Sequence, residues 1–166
     1  TELADTLTAA NIPVAYFKVT TFDDYLRMLR TCCDITGDEQ AYAENGQAVA
    51  DAINEIRAKA EGQQAGSAVV LTTYSGGTRV QSSSTQTGVM LSELGAQNIA
   101  DSNKGLLSDY SLEALIEANP RTIVLLPMGD SDEAAQKALE DQTTANPAWA
   151  QLDAVKNNRV VTLDPK

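Results

Sequence analysis

A chain of 166 residues is long enough for one ordinary hydrophobic core, or for one lobe and part of another, but not for two complete lobes. Its formal charge of −11, from 23 acidic and 12 basic side chains with no block of Lys or Arg, argues against a phosphate backbone as partner, so nucleic acid is not expected. The absence of histidine removes Ser-His-Asp and Cys-His catalysis, His-ligated zinc and an imidazole ligand to haem.

Leu3 and Leu7, four apart, predict the end of a helix that leads through Asn11 into a strand over Ile12–Val19, where Pro13 suits only the first residues. Thr21-Phe22-Asp23-Asp24 has the form of a capping box. Phe22, Leu26, Leu29 and Cys33 follow on one stripe and predict an amphipathic helix ending near Gly37. Cys32 and Cys33 are neighbours, so a bridge between them would be strained, and packing is their expected role. From Asp38 to Glu61 runs the longest helical pattern, with Tyr42, Gly46, Val49, Ile53, Ile56 and Ala60 on one face. Its acidic start and its Arg57 and Lys59 near the end suit the helix dipole.

A polar break at Gln63–Ser67 precedes a strand over Ala68–Thr73. Tyr74–Gln86 is rich in Ser, Thr and Gly without an apolar period, which predicts a long loop. A helix over Thr87–Leu94 closes on Gly95. Residues Tyr110 to Leu126 read as a helix, a stop and a buried strand. Ser111 is the N-cap, Leu112, Leu115 and Ile116 form the apolar stripe, Asn119-Pro120 ends the helix, and Thr122–Leu126 is continuously apolar. Ser131 starts another helix through Glu140, Asn146-Pro147 starts the next with a cap and a first-turn proline, and Arg159–Leu163 is the last strand. The alternation from Ala68 onward predicts an α/β lobe of three layers, α/β/α, with a mainly parallel sheet.

Three stretches carry a family likeness: Leu91-Ser92-Glu93-Leu94-Gly95-Ala96-Gln97-Asn98-Ile99-Ala100, the Tyr110–Leu126 unit, and Asn146-Pro147-Ala148-Trp149 through Val155–Pro165. Together they closely resemble the C-terminal lobe of the helical-backbone solute-binding proteins that serve ABC importers of iron-siderophores, haem and cobalamin. The resemblance implies that residues 1–37 are a strand-helix tail of the N-terminal lobe, 38–62 the long connecting helix and 63–166 the C-terminal lobe, with the rest of the N-terminal lobe, a lipoprotein or secretion signal and a final helix expected outside this stretch. It further implies an extracytoplasmic place, periplasmic or as a cell-surface lipoprotein held to the membrane only by a lipid anchor. An ABC permease is the implied protein partner and a metal-chelate the implied ligand. No cofactor, resident metal or catalysis is expected, and no Gly-x-Ser-x-Gly elbow, phosphate loop or dinucleotide fingerprint is present. A ferric siderophore ranks first among ligands because histidine is missing. Haem or cobalamin, or a non-transporting sensor or adhesion domain, are the alternatives. An unpaired strand edge at Ile12–Val19 makes a homo-oligomer a further expectation.

In an open α/β sheet, ligands sit beyond the carboxyl ends of the strands. Those ends are Tyr74–Gln86 and the Pro127–Asp130 turn, which in the resembled family face the cleft between lobes. Tyr74 can stack on a flat ligand, Arg79 can pair with a carboxylate, catecholate or phosphate, and Ser75 with Gly76 and Gly77 lets backbone amides approach closely. Met128 either lines the cleft, with a soft thioether to offer, or packs. The competing reading of this loop is a solvated turn with an incidental arginine. Trp149 is expected in the core. By resemblance, Glu113 docks into the permease, although the helix dipole alone also favours a carboxylate there. Glu117 extends that acidic patch or is merely solvated. Asp130, Asp132 and Glu133 fall in a first helical turn, where capping explains them.

Overall fold

The computed structural model describes residues 2–74, 76–108, 110–128, 132–143 and 145–163. By their internal contacts they divide into two compact units, residues 1–51 and 52–166.

In the first unit, helix α1 (Glu2–Ala9) is followed by an extended stretch and by α2 (Phe22–Thr36). The capping box forms as expected. Thr21 Oγ1 accepts from the Asp24 amide at 3.2 Å, and Asp24 Oδ2 accepts from the amides of Thr21 at 3.0 Å and Thr20 at 3.1 Å. Those amides, Thr21 foremost, hold the Asp24 carboxyl down to about 2. Gly37 closes α2 with φ 74°, a left-handed conformation that costs glycine little. Short α3 (Glu39–Tyr42), capped by Asp38, passes through a π turn (Ala43–Gln47) into α4 (Ala48–Ala60). The long helical pattern is therefore real but interrupted. A wide turn rotates the face that follows it, and Val49 and Ile56, expected on the covered stripe, stand exposed. Gly46 sits in that turn because a Cβ there would lie 3.0 Å from the Tyr42 ring and 3.3 Å from Leu29. Of the paired cysteines, Cys33 is buried and Cys32 exposed.

The strand expected over Ile12–Val19 does not form. An apolar alternation becomes a strand only where another strand supplies its hydrogen bonds. All strands of the described sheet lie between Gly66 and Thr162, and Ile12, Val14, Tyr16 and Phe17 are exposed.

The second unit is built on strand β1 (Gly66–Tyr74), folded back into β2 (Gly77–Gln81). Then come α5 (Gln86–Glu93), β3 (Ala96–Asn98), a 3-10 turn (Ile99–Asp101), α6 (Lys104–Ser108) and α7 (Leu112–Ala118). The chain continues with β4 (Thr122–Pro127), α8 (Asp132–Thr143), a 3-10 turn (Pro147–Gln151), α9 (Asp153–Lys156) and β5 (Val160–Thr162). The sheet order is β2-β1-β4-β5, with β3 also on β1. Only β2 runs antiparallel. β2 corrects the long-loop expectation for Tyr74–Gln86: its Ser, Thr and Gly residues show no apolar period, yet they pair with β1 from Tyr74↔Gly77 to Val70↔Gln81.

Side chains alternate across a strand, so β1 feeds two layers. Val69 and Leu71 join Ile123 and Leu125 of β4 and meet Leu106, Leu115, Trp149, Leu152 and Ala154. Ala68 and Val70 meet Leu91 of α5. Trp149 thus takes its expected core place. The Tyr110–Leu126 unit also forms as read. Ser111 Oγ accepts from the Ala114 amide at 3.1 Å, and Asn119 ends α7 at φ 39°. Its amide side chain then clasps the start of α9, donating to Asp153 Oδ2 at 2.9 Å and accepting from the Asp153 amide at 3.0 Å.

Candidate functional site

Register and the two-residue period place the site. Thr72 and Tyr74 share the Ala68–Val70 face of β1. Arg79 is Thr72's partner on β2, Gln81 is Val70's, and Leu126 of β4 lies opposite Thr72 on the other side. These residues, with Thr87 of α5 and Met128 just past β4, wall a recess of about 380 Å³ at the carboxyl ends of β1 and β4. Three residues singled out from the sequence, Tyr74, Arg79 and Met128, are therefore brought together. Ser75 lies outside the described residues, as do Gly129, Asp130 and Ser131.

Arg79 Nε donates to the Tyr74 hydroxyl oxygen at 3.1 Å, and the guanidinium carbon stands 5.2 Å from the Tyr74 ring centre. The pair fixes a cation against an aromatic face. Gly76 leaves room for it, because a Cβ there would fall 2.8 Å from the Tyr74 ring and push the ring aside. The floor is polar but satisfied, since Gln81 Nε2 donates to Thr72 Oγ1 at 2.9 Å. Met128 is 53% exposed, so its thioether is not consumed by packing. Its amide is tied to the Thr73 carbonyl at 2.7 Å.

Two residues that hold the rim were not singled out from sequence. Asn98 is buried, donates to the Gln81 carbonyl at 2.8 Å and accepts from the Ala100 amide at 3.1 Å. Asp101 grips the turn after β2 by accepting from the Ser83 amide at 2.9 Å and from Ser83 Oγ at 2.5 Å. Asn at the end of a short strand and Asp three residues later are weak signals alone, because their partners lie 17 and 18 residues back.

Glu113 sits in the first turn of α7, exposed, its carboxylate accepting from Ser111 Oγ at 3.1 Å. Glu117 is likewise exposed. Among the described residues no three His, Cys, Asp or Glu side chains gather into a set able to hold a metal ion, and no helix is long and apolar enough to cross a membrane.

A sequence profile of the periplasmic binding protein family matches residues 1–166, and the chain belongs to that family. No curated protein matches it. Among solved structures it is similar to S. aureus IsdE complexed with haem, at 20% identity and TM-score 0.72, covering 98% of this chain and 63% of that one. The periplasmic haem-binding protein HutB of Vibrio cholerae gives 22% identity and TM-score 0.70 over 98% and 63%. The iron-uptake system-binding protein FeuA of Bacillus subtilis gives 24% and 0.64 over 93% and 56%. At these identities the likeness is one of fold, and the chain spans less than two thirds of the length of these proteins.

Proposed function

We propose that this chain is the C-terminal ligand-binding lobe, residues 63–166, with the connecting helix 38–62 and residues 1–37 of the partner lobe, of an extracytoplasmic substrate-binding protein that delivers a ferric siderophore or related metal-chelate to an ABC permease. The observation that carries this reading is the convergence of Tyr74, Arg79 and Met128 on one recess at the carboxyl ends of β1 and β4, the end of an open α/β sheet where ligands bind. Binding needs no covalent chemistry. Arg79 neutralises an anionic oxygen of the chelate, and Tyr74 and Leu126 cover its flat or apolar parts. Family membership supports the solute-binding role, and neighbours of the same fold are described as iron-uptake and haem-binding proteins. Haem is the second reading, favoured by the exposed Met128 thioether beside Tyr74. Glu113 is the proposed docking carboxylate for the permease, and the protein is placed outside the cytoplasm, on a lipid anchor where the host has no outer membrane.

Calorimetric titration with ferric hydroxamate, ferric catecholate, haem and cobalamin tests the reading. Binding of one class, weakened about tenfold or more by Arg79→Leu, a desolvated charge-assisted pair being worth about 1.5–3 kcal/mol, is expected. Absence of heat across the panel, in this chain and in the two-lobe protein alike, overturns it. Loss of uptake with retained binding in Glu113→Arg checks the docking role.

A further inference from the structure

The buried side-chain polar atoms left without a hydrogen-bond partner among the described residues are Thr73 Oγ1, Thr78 Oγ1 and Tyr110 Oη. They are not scattered. Thr73 and Thr78 are register partners across β1 and β2, and by alternation they occupy the face of the hairpin opposite Thr72. Thr78 and Tyr110 wall a second recess there, of about 300 Å³, together with Leu106 and Leu107. Tyr74 and Arg79 border this recess as well as the first. A buried hydroxyl without a partner costs about 1–3 kcal/mol, and native proteins keep few of them. Valine at position 78 and phenylalanine at position 110 would fill the same space without that cost. The hydroxyls therefore stand where the described residues offer them nothing to bond.

Building on the chelate-binding reading above, we propose that this recess is a second subsite of the same ligand site, taking an anionic oxygen, carboxylate or catecholate, of the bound molecule. Each polar side chain of the lining can donate. Arg79 has N–H groups beyond the one it gives to Tyr74, the threonine hydroxyls rotate to suit, and among the described residues no carboxylate lines the recess. Burial, with Glu113 adding to it, pushes the Tyr110 phenol up to about 12, so it remains a protonated donor at any physiological pH. The hairpin then presents one ligand with two faces: Thr72, Leu126 and Met128 on one side for its body, Thr78 and Tyr110 on the other for its charged arm. Arg79 serves both.

The test is an amide-shift NMR titration of the full chain with 2,3-dihydroxybenzoate and with citrate, each free and as its gallium(III) complex, beside Thr78→Val and Tyr110→Phe variants. Expected are shifts at Thr78 and Tyr110 together with Thr72, Thr87 and Met128, and affinity about tenfold lower in each variant at an unchanged or raised melting temperature. A response to citrate assigns a carboxylate oxygen, and a response to the dihydroxybenzoate without one to citrate assigns the catechol oxygens. Shifts confined to Thr72, Thr87 and Met128, with affinity unchanged in both variants, overturn the subsite and leave the chelate reading standing. A melting temperature several degrees lower in the variants assigns the hydroxyls to folding and overturns it too. No shift at either recess with any probe overturns both proposals.

Discussion

Gly88 on α5 sets two opposing effects of known size against each other. Replacing a helical glycine by alanine ordinarily stabilises by about 1 kcal/mol. Here an added Cβ would lie 1.9 Å from the Ser82 carbonyl oxygen, 2.4 Å from its carbon and 2.9 Å from the Ser83 nitrogen. Relief requires the backbone of Ser82 and Ser83 to retreat by more than 1 Å to reach ordinary contact distances of about 3.4 Å. That backbone is held. The Ser82 carbonyl accepts from the Thr85 amide at 2.9 Å and its hydroxyl at 2.8 Å, and Ser83 is gripped twice by Asp101. Overpacking costs about 1–3 kcal/mol, and losing two of these bonds adds about 1 kcal/mol each. Gly88→Ala is therefore expected to destabilise by about 3 kcal/mol net, a melting temperature lower by about 6–12 °C for a chain of this size. Trp149, the sole tryptophan, lies in the core of the same unit, so its fluorescence in a urea or thermal series reads the change. An unchanged or raised midpoint would refute the reasoning, since helix propensity would have won and the turn would have yielded freely.

Leu115 is fully buried among Val69, Ile123 and Leu152, and Leu115→Ala is expected to cost about 2–5 kcal/mol, read by the same midpoint. Asn119→Ala loses both the clasp on Asp153 and the residue type that tolerates φ 39°. Asn119→Gly loses only the clasp, so the alanine variant should be the less stable by about 1 kcal/mol, and equal midpoints would deny the backbone argument. With its phenol at about 12 against an ordinary 10.0, native Tyr110 keeps a proton that the unfolded chain releases. Stability is full below pH 10 and falls as pH rises toward 12; paired melts at the two ends of that window should show a smaller loss in Tyr110→Phe.

Local signals were the legible ones. Ser111, Asn119-Pro120 and the Thr21 box each specify a helix end through neighbours within four residues, and each forms as read, while Asn146 caps as expected but starts a 3-10 turn rather than an α-helix. β2 was hidden because Gly77–Gln81 earns its strand by register with β1 and shows no apolar period of its own. The opposite error arose at Ile12–Val19, where the pattern is present and the partner strand is not. At the site, residue chemistry and position past the strands were enough to bring Tyr74, Arg79 and Met128 forward. The second recess was not foreseen, because Thr78 and Tyr110 carry no local signal, and their hydroxyls matter only once β2 and α6 have enclosed them.

β1 is the first strand of the second unit in sequence yet lies inside its sheet, and the side that β4 covers waits for residues far downstream: Ser67 Oγ accepts from the Arg121 amide, 54 residues on. During synthesis at about 5–20 residues per second, that interval lasts roughly 3–11 s. Through it, the strand that ends up most continuously buried among those described stays bare along one edge, and any escort that must receive the polypeptide before it folds has those seconds in which to do so.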